Sequence, residues 1–180
     1  MASTRFKRRR RGGVTLTVPV EEAPVLRGLL EQLAELVAPE EPADPDPLAA
    51  MVGIGTSTSV PDDPVLARLF PAAYGDDTEA AAEFRRYTET SLRQRKLDNV
   101  RAALASLDEP GRERPLDEAT TMAWLGALND LRLALGTRLD VHEDWTAQYA
   151  ALPPDDPARA ALELYDWLSW LEESLVRCLE

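Results

Sequence analysis

The stretch that most constrains this chain is residues 121–145, TMAWLGALNDLRLALGTRLDVHEDW. Trp124, Leu128, Leu131, Leu135 and Leu139 follow one another at intervals of 4, 3, 4 and 4 residues. In a helix of about 3.6 residues per turn, that spacing keeps all five side chains on one face. A face this apolar has to be covered by other elements, which points to packed helices and not to a catalytic loop. The expected fold is mainly α: an irregular bundle of about five or six helices with a small N-terminal β-hairpin.

A chain of 180 residues suits one domain with a proper core, so residues 1–180 are read as a single unit. Hydrophobic residues make up 44% of it, and no apolar run approaches the roughly 18 to 20 residues that a membrane helix needs. The N-terminus is basic, as a secretory signal would be. The segment that follows is broken by threonines and Pro19, however, and leads into Glu21 and Glu22 instead of a cleavage site. The expectation is a cytoplasmic protein without membrane contact. The single cysteine, Cys178, cannot close an internal disulfide, in keeping with a reducing compartment.

Charge is unevenly spread. Six of the 20 basic residues and none of the 32 acidic ones lie in the first 20 positions, so the remainder holds 14 bases against 32 acids, a balance of −18. The six are Arg5, Lys7, Arg8, Arg9, Arg10 and Arg11. An acidic body repels polyanions at long range, which makes nucleic acid the less favoured partner, although a basic arm alone can touch phosphates. The favoured reading is that the run balances the protein's own acidic surface; contact with a partner is the alternative.

Along the chain, Val14, Leu16 and Val18 alternate with threonines in the period of a half-buried strand. Gly12 and Gly13 precede them and suit a tight turn, so residues 1–18 read as a basic hairpin. A helix over 21–37 buries Leu26, Leu30, Leu33 and Val37. Residues 39–62, with the run PEEPADPDP and then Gly53 and Gly55, read as a flexible loop, since no strand precedes the glycines as a phosphate loop requires. The helical core then spans 63–180. Asp63-Pro64 and Asp156-Pro157 each read as an N-cap followed by proline at the first helical position. A long helix over 77–107 is expected to turn Phe84, Tyr87 and Ser91 inward and Arg85, Arg86, Arg93, Arg95, Lys96 and Arg101 outward, where interleaved acids pair with them. The last helix carries a stripe of Leu164, Leu168, Leu171, Leu175 and Leu179, with Cys178 close to it as a packed small hydrophobe. Trp167 and Trp170 fall progressively off that stripe, which makes them covers for a neighbouring element or anchors for a partner.

Catalytic chemistry is hard to find. His142 sits among adjacent acids in DVHEDW, without the spacing of a zinc site, and no GxSxG turn occurs. A thiol on an apolar face has a raised pKa and is a poor nucleophile. No metal, cofactor or catalytic residue is expected. Asn129 and Arg132 stand out because they lie three apart on the flank of the Trp124 stripe, where an unpaired guanidinium is costly. Glu143 or Asp144, or a carboxylate of the last helix such as Asp166 or Glu173, would form a register-fixing pair with Arg132. A ligand carboxylate or phosphate is the alternative, and with it an enzyme built on an Arg132-centred pocket.

Three blocks in order, AAAEFRRYTETSLRQRK, AWLGALNDLRLALGTRLDV and YDWLSWLEESLV, resemble an actinobacterial family of unknown-function domains whose members lie beside the Clp protease adaptor gene and include the oxidative-stress regulator AosR. The resemblance covers nearly the whole chain. It implies a non-enzymatic cytoplasmic regulator that acts by protein–protein contact, linked to redox stress and to transcription through a partner such as a sigma factor. An accessory or adaptor factor for Clp proteolysis is the second reading, and self-association into a homodimer stays open. A redox switch by intramolecular disulfide needs two cysteines, and this chain offers only Cys178; either redox sensing belongs to a branch of the family, or Cys178 works between chains.

Overall fold

A computed structural model of the chain describes residues 3–10, 12–39, 58–73 and 77–180. Among these residues the chain is mainly α. Strands β1 (Arg5–Arg8) and β2 (Val14–Thr17) precede helix α1 (Ala23–Val37), and α2 (Pro64–Leu69) and α3 (Thr78–Ala105) follow. Strand β3 (Glu113–Leu116) then leads to α4 (Glu118–Arg138), α5 (Trp145–Ala151) and α6 (Pro157–Leu179). Most of the segment read as a flexible loop, residues 40–57, lies outside the described residues.

The hairpin forms where the glycines put it. Gly12 and Gly13 both have φ of 85°, a backbone that side chains rarely adopt, and the Gly12 N–H donates to the Arg9 carbonyl at 3.1 Å to close the turn. The sheet is larger than the hairpin that the sequence suggested: β3 pairs antiparallel with β2, Val14 opposite Leu116 and Leu16 opposite Arg114, which leaves β2 in the centre. Glu113-Arg114-Pro115-Leu116 shows no apolar alternation, so periodicity passes over it. Pro115, lacking an N–H, is tolerated because β3 is an edge strand.

Helix ends follow local capping chemistry. The carboxylates of Asp63, Asp77, Asp117 and Asp156 accept first-turn N–H groups at the starts of α2, α3, α4 and α6. Glu22 stands at the N-cap of α1, which puts the helix start at Ala23 instead of residue 21. Its carboxylate accepts the Thr4 N–H at 2.7 Å and so ties the start of β1 to α1. At the end of α4, Asp140 takes φ of 51° and the Val141 N–H returns to the Gly136 carbonyl at 2.9 Å, a Schellman closure that stops the helix. Helix α5, not anticipated, buries no residue fully, so its sequence has no apolar stripe to read.

Trp124 is the centre of the core. It is fully buried, meets Phe6 of β1 edge-on at 5.7 Å between ring centroids, and donates its indole N–H to Ser106 Oγ at 2.7 Å. Two glycines let α4 approach its neighbours. A Cβ at Gly126 would meet Asn99 Nδ2 of α3 at 2.5 Å, and one at Gly136 would meet the Tyr165 ring of α6 at 3.1 Å. The stripe of α6 holds at Leu168, Leu171 and Leu175 but frays at its ends: Leu164 is half-buried and Leu179 exposed at the chain's end, with Leu162 buried in their stead.

The inner face of α3 is the main correction. Phe84, Tyr87 and Ser91 are exposed, while Arg85, Glu89 and Arg93 are buried. The sequence has few apolar residues to offer in this half of α3, and at i, i+4 and i+8 the single Glu89 carboxylate serves both guanidiniums, leaving one positive charge over. Glu89 accepts from Arg85 Nη1 at 2.5 Å and from Arg93 Nε at 2.9 Å. Each guanidinium also reaches a carbonyl at a helix C-terminus, Arg85 to Phe70 of α2 at 2.8 Å and Arg93 to Ala38 of α1 at 3.2 Å. Helix C-termini carry partial negative charge, so cations are favoured there. Arg93 further stacks over the Phe70 ring at 4.3 Å.

Candidate functional site

Arg132 projects from α4 towards α6. Its Nε donates to Ser169 Oγ at 2.9 Å and its Nη1 pairs with Glu172, while the Tyr165 ring lies 5.8 Å away. Burial would lower its pKa, but the hydrogen bond and charge of Glu172 outweigh this and raise it. The partner comes from the last helix, yet it is Glu172 and not Asp166 or Glu173. Glu143 and Asp144 are exposed in the segment before α5, and Asn129 is exposed on α4. The structure therefore does not gather Asn129, Arg132, Glu143 and Asp144 into one cluster.

A cleft of about 310 Å³ adjoins Arg132 and is lined also by Arg68, Thr137, Asp140, Val141 and Tyr165. Asp140 is its single carboxylate, and that carboxylate lies 3.2 Å from the exposed His142. An Arg already occupied by Glu172 and one solvated acid supply no general acid–base pair aimed at a common point. Among the described residues no group of three or more His, Cys, Asp or Glu side chains could hold a metal ion.

The basic hairpin is more open. Arg5, Lys7, Arg8, Arg9 and Arg10 are exposed, and none of them forms an ion pair among the described residues. Arg11 lies outside those residues. Helix α6 packs against β1 and brings Cys178 to the Arg8 backbone. Burial pushes the Cys178 thiol up, against a smaller lowering by Arg8. Of the two tryptophans, Trp167 packs half-buried on the core and Trp170 is 44% exposed on α6.

Sequence reasoning passed over the buried charges. Besides Arg85, Glu89 and Arg93, Lys96 Nζ holds Asp130 at 2.6 Å between α3 and α4. Burial raises the Asp130 pKa, with Lys96 pulling the other way, and Glu89 is the reverse case: burial raises it, but the bonds and charges of Arg85 and Arg93 win and lower it. The readable signal was the regular R-x-x-x-E-x-x-x-R spacing, which suits a buried ladder as well as a solvated one.

The chain matches, over residues 3–179, the family described as Domain of unknown function (DUF2017). It belongs to the DUF2017 family. Relatives include the oxidative stress regulator AosR of Mycobacterium tuberculosis (strain H37Rv), 32% identical over 173 residues, with 88% of this chain and 78% of the relative covered. The Mycobacterium bovis protein of the same name matches at the same 32% and the same coverage. A Mycobacterium leprae protein provisionally given that name is 31% identical over 177 residues, covering 90% of this chain and 80% of the relative. No solved structure gives a significant match. These DUF2017 relatives are named as regulators and not as enzymes. Among the described residues no helix is long and apolar enough to cross a membrane.

Proposed function

We propose that this DUF2017 protein is a non-enzymatic regulator of the oxidative-stress response that works in the cytoplasm by binding another protein. The observation that carries the reading is the 32% identity to proteins named oxidative stress regulators, spread over 88% of the chain. Two features of the molecule support it. Arg85, Glu89, Arg93, Lys96, Asp130, Arg132 and Glu172 are bonded to one another in fixed pairs, and five neighbouring cations of the hairpin are exposed without an ion pair among the described residues, where a partner can reach them. The contact surface of the proposal is that hairpin, Arg5 to Arg10, with Trp170 as a further exposed anchor.

Deleting the gene in its host and profiling transcripts with and without peroxide tests the regulatory role. The expected outcome is a set of transcripts whose peroxide response is lost; an unaltered profile contradicts the proposal. Capture with the tagged chain from host lysate then identifies the machinery. Recovery of RNA polymerase subunits supports a transcriptional partner, whereas recovery of Clp subunits alone replaces it with the proteolytic one.

A further inference from the structure

We propose that the outer face of the three-stranded sheet is a docking strip for an extended acidic protein segment, an inference that rests on the reading of the chain as a regulator acting by protein contact. Strand register decides which side chains share this face. Pairing places Arg5, Thr17 and Glu113, and Lys7, Thr15 and Pro115, on the face opposite the buried Phe6, Val14, Leu16 and Leu116; Thr15 in the central strand is itself buried, and the open positions are those of the two outer strands. Arg5 and Lys7 are exposed on this face, beside the exposed cations Arg9 and Arg10 that follow β1. Glu113 is the one acid of the face and sits two strands from Arg5, about 10 Å away at ordinary strand spacing. No ion pair joins the two.

Charge decides between occupants. A nucleic acid is a long polyanion, and a strand held at the hairpin would bring further phosphates near a body that carries a balance of −18. A short acidic segment can stay on the strip, within roughly one Debye length, about 8 Å at physiological salt, of the cations that attract it. Spacing agrees with this. Arg5 and Lys7 stand about 7 Å apart along the strand, the distance between alternate side chains of any extended peptide, so carboxylates at every second position meet both cations. The segment binds through side chains and not as a fourth strand. At the β3 edge, Pro115 removes a backbone donor.

Fluorescence anisotropy on the full chain tests the strip with two labelled probes, a peptide of alternating glutamate and serine and an oligothymidylate. The peptide is expected to bind, to weaken as salt rises, and to lose about tenfold in affinity when Arg5→Ser and Lys7→Ser are combined. Melting should stay as in the parent chain. Arg5→Lys with Lys7→Arg, which keeps both charges, should restore peptide binding, and Lys7→Ser alone serves if the double variant does not fold. Absence of peptide binding, tighter binding of the oligothymidylate, or an Arg5/Lys7 variant that binds like the parent would each overturn the strip. Loss of the strip with host proteins still captured by the chain leaves the regulator reading standing, whereas a chain that captures nothing removes both.

Discussion

At Arg132 one guanidinium does the work of several contacts: it bonds Ser169 and Glu172 on α6 from a position on α4, and so sets how these two helices lie against each other. That an Arg beside the Trp124 stripe needs a partner was legible from its helical phase. Which acid supplies it was not, because the choice between Glu172 and its neighbour Glu173 depends on the rotation of α6 by one residue, and the ragged ends of that helix's leucine stripe do not fix it. Arg132→Ala is expected to destabilise the fold by about 2 kcal/mol. A fully buried pair would lose about 3 to 5, but the Arg side chain is 32% exposed and partly screened. Thermal melting measures this, and an unchanged melting temperature would return Arg132 to the role of a ligand residue. Cys178 is the second residue with a defined expectation. Burial raises its pKa, so a thiol reagent should label it slowly in the native protein and rapidly in denaturant. Equal rates in both states would contradict the packing described.

Among the elements, α3 departs furthest from what its sequence suggested. Helix starts at Asp63, Asp77, Asp117 and Asp156 are local events, decided by a carboxylate and the next few N–H groups, and a proline after the aspartate makes two of them plain to read. The inner face of α3 is not local. It is decided by the open carbonyls of Phe70 and Ala38 on other helices, which reward Arg85 and Arg93 for turning inward and leave Phe84 and Tyr87 outside. Glu89→Gln removes the charge between those two guanidiniums and should cost about 3 to 5 kcal/mol at neutral pH, read by denaturant unfolding. The pH dependence follows from the sign of its shift. The Glu89 pKa is lowered from its ordinary value of 4.5, so its stabilisation is complete above that pH and is lost as pH falls through the folded value. The gap in stability between parent and Glu89→Gln should therefore narrow below about pH 4.5. A gap that stays constant into acid would mean that Glu89 is not the charged partner of Arg85 and Arg93.

Over the whole molecule, the helical class and the basic head could be read from apolar periodicity and charge counting, because both are properties of short windows. The third strand could not, since Glu113–Leu116 becomes a strand only beside β2. Net charge alone left open what the head does, because charge balance says nothing about distance; among the described residues Arg5, Lys7, Arg8, Arg9 and Arg10 form no ion pair. What remains is a bundle whose interior charges are bound to one another and whose densest run of exposed cations lies on the hairpin. Capture from host lysate with the parent chain and with Arg5→Ser/Lys7→Ser, alongside the melting temperature of each, tests that division most directly. Loss of the partner by the variant at an unchanged melting temperature is the predicted result. Equal capture by both chains, or a variant that melts well below the parent, would contradict it.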